Sequence, residues 1–147
     1  MEIVNRKARF EYNVIDEFIA GIVLCGSEVK SIRKGHFNIS DSYCIINKNE
    51  CLMKNSHIAK YESDKFSNHE ELRDRKLLLT KKEIKKLREA VQTPGYTIVP
   101  LKVFSNSHHL IKVKIGLCKG KKEYDKRNDI KDRENKIELN RIIKNYG

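Results

Sequence analysis

The chain has 147 residues, with 31 Lys and Arg against 20 Asp and Glu, a formal net charge of +11 at pH 7. Its 39% hydrophobic residues can fill one modest core but not two, which predicts a single folded domain. No stretch approaches the roughly 18 apolar residues of a membrane-spanning helix, and no signal peptide is recognisable, so we expect a cytoplasmic protein without a membrane partner. The excess positive charge predicts a polyanionic partner.

Five short segments rich in aliphatic and β-branched residues predict strands. They are residues 18–25, 43–46, 51–58, 96–104 and 110–117. In the last segment Ile111, Val113 and Ile115 alternate with lysines, which is typical of a half-buried strand with a basic outer face. Residues 47–50 and 105–108 have the composition of hairpin loops.

Two short helices are predicted among the strands. Thr80 and Glu83 have the capping-box spacing, and Pro94 and Gly95 end the helix that this box begins. A second helix is expected over residues 28–34. Because strands and helices do not alternate regularly, the pattern predicts a mainly β fold with flanking helices, built as a compact antiparallel barrel.

The last 29 residues differ in composition from the rest. Residues 119–147 hold ten Lys or Arg and six Asp or Glu, and their few large apolar residues do not share one helical face. We therefore expect a basic C-terminal tail that is disordered when free and becomes helical on a partner. The predicted division is a barrel domain over 1–118 and a tail over 119–147.

The residues that could carry chemistry do not form a recognisable active site. The four cysteines show no Cys-x-x-Cys pair, which predicts free thiols in a reducing compartment and no zinc site; they are Cys25, Cys44, Cys51 and Cys118. His108 and His109 are adjacent and would point to opposite faces of a strand, so a shared metal ion is not expected. We expect no catalytic residues, no metal and no cofactor.

Basic clusters indicate a nucleic-acid partner more directly. Residues 5–9 combine guanidinium and ammonium groups with two aromatic rings close behind, a mixture suited to phosphates and unpaired bases, and residues 73–76 and 119–122 are also basic. One such cluster alone is usually a solvated face, but several on one small domain favour RNA binding. Glu28 lies among cations and could either pair with Lys30 or Arg33 or accept hydrogen bonds from an exposed base.

Six groups of residues occur in a fixed order from Asn5 to Arg127. They are Asn5-Arg6-Lys7-Ala8-Arg9, Gly21, Gly26-x-Glu28-Val29-Lys30-Ser31-x-Arg33, Asn38-x-x-Asp41-Ser42-Tyr43, Arg75-Lys76-Leu77-Leu78-Leu79 and Gly116-x-x-x-Gly120-Lys121-Lys122-x-x-Asp125-Lys126-Arg127. Together in this order they resemble SmpB, the SsrA-binding protein family of bacterial ribosome rescue. The similarity runs from Asn5 to about Lys144, nearly the whole chain.

The resemblance implies an oligonucleotide-binding-type β-barrel flanked by helices, with a tail that is unstructured off the ribosome. It implies a monomeric, non-enzymatic adaptor that binds the tRNA-like domain of tmRNA. Elongation factor Tu would join the delivery complex to a stalled ribosome for trans-translation. The tail would enter the empty mRNA channel near the decoding centre and contact 16S rRNA. A structural ribosomal protein with a basic extension is the alternative, and a small RNA-processing enzyme is a weaker one.

The resemblance also implies roles for individual residues. Those expected to face the tRNA-like RNA are Asn5, Arg6, Lys7, Glu28, Val29, Lys30, Ser31, Lys119, Gly120, Lys121 and Lys122. Those expected at the decoding centre are Tyr124, Asp125, Lys126 and Arg127. The chain departs from the family pattern at Tyr124, where many members have a His, and at Asn135, where some have a Trp. A Tyr ring can still stack but cannot carry the proton of a His.

Overall fold

The structure is a computed structural model that describes residues 1–61 and 68–120. These residues form nine strands and three helices. In chain order they are β1 (Glu2–Val4), α1 (Arg6–Glu11), β2 (Tyr12–Ile22), α2 (Gly26–Arg33), β3 (Phe37–Asn38), β4 (Tyr43–Asn47), β5 (Glu50–Lys54), β6 (His57–Ile58), β7 (Arg75–Leu78), α3 (Lys81–Ala90), β8 (Tyr96–Ser105) and β9 (Ile111–Gly120).

Six of the strands close into a barrel. The order is β8-β4-β5-β7-β2-β9, and β9 pairs back with β8, so each of the six has a neighbour on both sides. Every pairing is antiparallel. Register shifts between Val14 and Asp16 in β2, and between Pro100 and Lys102 in β8, interrupt the two longest ladders, as closure of a small barrel requires. The predicted mainly β, antiparallel barrel with flanking helices is confirmed.

The barrel interior is filled by alternate residues of each strand. Phe18 and Ala20 of β2 are buried while Ile19 between them is exposed, and Val113 and Ile115 of β9 point inward as the alternation predicted. Three cysteines contribute to the packing and Cys25 is exposed; all four are free thiols, as expected.

The predicted strands are present with altered bounds. The segment predicted at 18–25 begins at Tyr12 and ends at Ile22, and the segment at 51–58 is two strands separated by a turn. The predicted hairpin loops connect β4 to β5 and β8 to β9. β9 continues to Gly120, two residues beyond the predicted domain boundary, and that division stays a prediction because residues 121–147 lie outside the described chain.

The helix α3 begins as its capping box predicts. The Thr80 hydroxyl accepts a hydrogen bond from the Glu83 amide at 3.1 Å, and the Glu83 carboxylate accepts one from the Thr80 amide at 2.9 Å. Ile84 and Leu87 are buried beneath the helix. The second predicted helix starts earlier than expected, at Gly26. Neither these helices nor α1 is long and apolar enough to cross a membrane.

Helices α2 and α3 lie at opposite ends of the barrel. Arg33 of α2 donates to the backbone carbonyl of His109 in the β8–β9 turn, at 3.0 Å. Arg88 of α3 donates to the carbonyl of Lys48 in the β4–β5 turn, at 3.1 Å. Because β4 runs antiparallel to β8, these two turns are at opposite ends of the strands. We refer below to the α2 end and the α3 end.

Candidate nucleic-acid interface

Glu28, which the sequence singled out, is completely buried at the α2 end. Its Oε1 atom accepts hydrogen bonds from Arg73 Nη2 at 2.6 Å and from the Cys25 amide at 2.9 Å. Its Oε2 atom accepts from Arg75 Nε at 2.9 Å and from Arg73 Nε at 3.2 Å. One carboxylate thus holds two guanidinium groups and closes the first turn of α2.

The protonation of Glu28 depends on these donors. Desolvation by burial would raise the pKa of this carboxyl. The hydrogen bonds from Arg73, the Cys25 amide and Arg75 outweigh burial and lower the pKa from 4.5 to about 2. Glu28 is therefore ionised at neutral pH and keeps both arginines in place. The hydrogen bond to Glu28 also raises the pKa of Arg73.

Arg75 completes the network on the inner side and is fully buried. Its Nη1 atom donates to the carbonyl and the hydroxyl of Ser56, at 2.7 and 3.1 Å. Its Nη2 atom donates to the carbonyls of Glu70 and Glu71, each at 3.2 Å. With Nε on Glu28, every nitrogen of this guanidinium has a partner, which is the condition under which a buried charge is tolerated. Arg75 therefore ties α2 to the start of β7 and to the segment before it.

Arg73 is the outer member of the network. Its side chain is 36% exposed, and both its bonds to Glu28 are on one edge of the guanidinium. Its Nη2 atom also donates to the carbonyl of Val23 and its Nη1 atom to that of Asp74, each at 3.4 Å. A guanidinium fixed in this way can present the remaining N–H of Nη1 to a phosphate without losing further side-chain freedom. Neither sequence-based alternative for Glu28 is correct as stated. Its partners are not Lys30 or Arg33, and a fully buried carboxylate with both oxygens occupied cannot accept from a base.

A second basic group lies further along α2. The ammonium groups of Lys30 and Lys34 are 5.4 and 5.3 Å from the centroid of the Tyr61 ring. Cation–π attraction to one ring holds the two like charges close together. Ser31, between them in sequence, points inward and donates its hydroxyl to the carbonyl of Ala59. Val29 is partly exposed and lines a shallow groove at this end of the barrel.

A buried histidine supports α2 from below. His69 Nε2 is 2.9 Å from the carbonyl of Ile58, which can only accept, so this nitrogen donates. In the neutral ring Nδ1 then accepts from the hydroxyl of Ser27, at 2.8 Å. Ser27 and His69 are both buried, and together they fix the first turn of α2 against β6. Sequence reasoning did not consider His69.

The motif at residues 5–9 forms α1, a helix that was not predicted. Asn5 is its N-cap and is buried; its side chain accepts from the Ala8 amide and donates to the carbonyls of Ile39 and Pro100. The structure therefore does not expose Asn5 to an RNA, since capping and bridging use its whole amide group. Arg6 and Lys7 are exposed, and Lys7 forms an ion pair with Asp41 at 2.6 Å.

Lys119 and Gly120 lie at the far end of β9 from α2. Gly120 pairs with Tyr12, so they adjoin the end of α1, and the Lys119 ammonium is 5.9 Å from the Tyr96 ring. At roughly 3.3 Å per residue, the ends of β9 are about 30 Å apart. The predicted RNA-facing residues thus form two groups, not one. Lys121, Lys122, Tyr124, Asp125, Lys126 and Arg127 lie outside the described residues.

We name the exposed part of the first group the α2 surface: Lys30, Lys34, Tyr61 and Arg73. The sequence did not assign Tyr61 or Arg73 to the site. The sequence showed Arg73 only as part of the basic cluster at 73–76. Its pairing with Glu28 spans 45 residues, and no nearby residue pattern indicates it. The α2 surface carries several cations, one aromatic ring and a preorganised guanidinium, which suits the backbone of a structured RNA.

Comparison with known proteins gives concordant results. The model of the family described as "SmpB protein" matches residues 2–145. The SsrA-binding protein of Flavobacterium johnsoniae is 49% identical over the whole chain and 97% of its own length. That of Wolbachia pipientis from Culex pipiens is 50% identical over 99% of each chain. A solved chain described as "tmRNA-SmpB: a journey to the center of the bacterial ribosome" has a TM-score of 0.72 and 38% identity, covering 92% of this chain and 94% of its own.

Proposed function

The chain belongs to the SmpB protein family, and from that membership we propose that it is an RNA-binding adaptor that binds the tRNA-like domain of tmRNA and supports trans-translation on stalled ribosomes. The match over nearly the full length, with the same fold as a protein named for tmRNA and the ribosome, is the observation that carries this proposal. Nothing in the comparisons favours the alternative of a structural ribosomal protein.

We further propose where the protein acts and with which partners. The protein acts in the cytoplasm as a monomer and is not an enzyme. Its partners are tmRNA and the ribosome, including 16S rRNA, with elongation factor Tu in the delivery complex. Lys121 and Lys122 face the tRNA-like RNA. The C-terminal tail probes the empty mRNA channel, and Tyr124, Asp125, Lys126 and Arg127 contact the decoding centre. The family resemblance supports these assignments.

Binding of the tRNA-like domain can be measured directly by filter binding over a salt series. Each ammonium or guanidinium contact to a phosphate releases counterions, so log K should fall linearly with log salt, by about 0.7 to 0.9 per contact. The four exposed RNA-facing cations we assign near the helices, Arg6, Lys30, Lys34 and Arg73, predict a slope of about −3 or steeper. A flat salt response would count against phosphate-led binding, and failure to bind at physiological salt would end the proposal.

Within the α2 surface we assign Glu28 a positioning role. Its carboxylate cannot reach an RNA but fixes Arg73, which can. A double-mutant cycle with Glu28→Gln and Arg73→Gln tests this assignment. If Glu28 acts through Arg73, the double variant should bind no more weakly than Arg73→Gln alone, and both should lower the salt slope by one contact. Additive losses of affinity would mean that the two side chains act separately.

The cycle needs a control for charge and one for folding. Lys48→Gln removes an exposed cation at the α3 end and should leave the affinity for the tRNA-like domain within about twofold. Thermal unfolding of each variant, compared with its affinity, separates a loss of binding from a loss of stability. Arg73→Lys keeps the charge but not the fork that bonds both oxygens of Glu28, so it should restore the salt slope but only part of the affinity.

Truncation tests whether the tail acts on the ribosome and not in binding the tRNA-like domain. A chain ending at Gly120 should keep most of its affinity for the tRNA-like domain, losing only the contacts of Lys121 and Lys122, and should lose peptide tagging on stalled ribosomes. If truncation lowers the melting temperature of the barrel instead, the tail is part of the folded domain, and the division of labour between barrel and tail is wrong.

A further inference from the structure

A groove lies between the edges of two strands that are not hydrogen-bonded to each other, β1 and β3. It has a volume of about 480 Å³. Ile3 and Val4 of β1 form one wall, residues 35–40 form the other, and His57 and Ala59 lie beside them. We name it the β1–β3 groove. None of the residues assigned to RNA above lines it.

Strand β1 has an unpaired edge on the side away from β8. The Ser105 amide donates to the carbonyl of Met1 at 3.2 Å, and the Asn5 amide donates to β8 at 2.8 Å. In an antiparallel ladder alternate residues bond to the partner strand, so the odd-numbered residues of β1 bond to β8. The backbone N–H and C=O groups of Glu2 and Val4 therefore point the other way, and Val4 lines the groove.

Strand β3 has a second edge on the opposite wall. Its partner is β6, where the Ala59 amide donates to the carbonyl of His36 at 3.1 Å. By the same alternation, the N–H and C=O groups of Phe37 point away from β6. Among the described residues, no hydrogen bond outside the ladders engages the backbone of Glu2, Val4 or Phe37. Two edges with unpaired donors and acceptors thus border one groove.

We infer that the β1–β3 groove binds an extended, acidic segment of a partner protein, which pairs with β1 as an added strand. The unpaired groups of an edge strand are a template for another strand, and strand addition is a common mode of peptide recognition. A polypeptide supplies alternating amide donors and carbonyl acceptors along one side. The backbone of an RNA has no N–H groups, so it cannot complete the ladder.

The charges around the groove favour an acidic segment. None of the described lining residues is acidic, and Lys60, next to the lining residue Ala59, is exposed. Two carboxylates lie near the groove, and each already faces a basic side chain. Glu2 is paired with Lys102 at 3.0 Å, and Glu71 is 3.7 Å from His57. The net charge of +11 also repels a cationic segment.

Fluorescence anisotropy with the full-length protein tests strand pairing directly. The probe is a labelled, capped peptide of six residues that alternates valine and glutamate. Its matched control is the same peptide N-methylated at the two central amides, one on each edge, which keeps the charge and removes ladder donors. The control should bind about tenfold more weakly or less, because at least one hydrogen bond is lost and the added methyl group blocks the ladder. Equal affinities of the two peptides would overturn the inference.

Amide hydrogen exchange, measured by NMR, locates the bound segment. With the probe bound, exchange at the amides of Glu2 and Val4 should slow by about tenfold or more, because these N–H groups become hydrogen-bonded. Exchange at Ile3, which already bonds to β8, should not change. Protection elsewhere on the barrel without protection at Glu2 and Val4 would place the peptide outside the groove and contradict strand pairing.

A pair of variants tests the same edge from the side of the protein. Val4→Pro removes the N–H that faces the groove and keeps the bonds to β8, and proline is tolerated in an edge strand. It should weaken probe binding by about fivefold or more, whereas Val4→Thr keeps the amide and should stay within about twofold. The melting temperatures of both variants show whether they fold. If Val4→Pro does not fold, the two wild-type measurements decide the inference.

Three results would assign the groove to another occupant and overturn the inference. Displacement of the probe by tRNA-like RNA would indicate that both use one site. A dimer of the free protein that the probe dissociates would identify a second copy. Binding by the chain ending at Gly120, but not by the full chain, would identify the C-terminal segment. The inference does not rest on the proposed function, since the probe can fail to bind while the tRNA-like RNA still binds.

Discussion

The two ends of the barrel carry positive charge in different ways. At the α2 end the buried carboxylate of Glu28 accepts hydrogen bonds from Arg73 and Arg75, and these bonds fix the surface cation Arg73 in place. At the α3 end the core beneath the helix is apolar, and the lysines are exposed on its outer face, where Lys86 pairs with Asp16 at 2.8 Å. The first arrangement fixes the direction of a charge, and the second supplies charge density. The difference predicts geometric selectivity at the α2 end and general attraction at the α3 end.

The largest expected effect comes from removing the carboxylate of the α2 end. Glu28→Ala leaves Arg75 buried without its counter-charge and should destabilise the protein by about 3–5 kcal/mol, measured by urea unfolding. Its counterpart at the α3 end is Glu50→Ala, which breaks an exposed pair with Lys76 and should cost less than about 1 kcal/mol. Similar losses in both variants would remove the distinction between the two ends.

The next effect is the dependence of protein stability on pH. Folding lowers the pKa of Glu28 from 4.5 to about 2, so its contribution is fully present above pH 4.5 and is lost as the pH falls toward 2. The shift corresponds to about 3 kcal/mol. Glu28→Gln should therefore lose less stability than the wild type between these pH values in a series of unfolding measurements. Parallel curves for the two proteins would show that the carboxylate does not carry the acid sensitivity.

A third prediction concerns the packing of β9 against β8, the two long strands that connect the two ends of the barrel. A Cβ atom added at Gly116 would lie 2.8 Å from Cδ1 of Leu101, which is fully buried. Gly116→Ala should cost about 1–3 kcal/mol through overpacking. The control is Gly120→Ala, where none of the described residues lies within 4 Å of the added atom and the melting temperature should hardly change. If neither variant changes the stability, the barrel around Gly116 and Leu101 is more deformable than its packing indicates.

The smallest effect is expected at the start of α3. Thr80→Ala removes the hydroxyl that accepts from the Glu83 amide and should cost about 1 kcal/mol. Thr80→Ser keeps that oxygen and should stay close to the wild type. The affinity for the tRNA-like domain should be unchanged in both variants, because α3 is at the other end of the barrel. A loss of that affinity in Thr80→Ala would mean that the ends are coupled.

The contrast between the ends also separates what the sequence could predict from what it could not. The start of α3 was predictable because Thr80 and Glu83 are three residues apart, and β9 because its alternation is local. Glu28 was recognised as unusual, but its partners are 45 and 47 residues away, and no local rule selects Arg73 and Arg75 over Lys30. Contacts of this kind are decided when β7 pairs with β2, which only the folded topology shows.

The same limit explains the errors at the motif of residues 5–9. Its composition indicated a basic surface, and Arg6 and Lys7 are indeed exposed. The pattern did not show that Asn5 begins a helix and turns its amide toward Ile39 and Pro100, because both acceptors come from distant parts of the chain. A polar residue inside a basic motif can therefore be structural, and its burial is the observation that distinguishes the two roles.

Strand β9 starts next to the β8–β9 turn, to which Arg33 donates a hydrogen bond, and ends at Gly120. The remaining 27 residues follow Gly120. Because it is hydrogen-bonded to a neighbour on each side, its length cannot vary without breaking the ladder. It therefore sets a fixed distance between its two ends. An RNA bound at α2 would in this way determine the position of Gly120, from which the C-terminal residues continue.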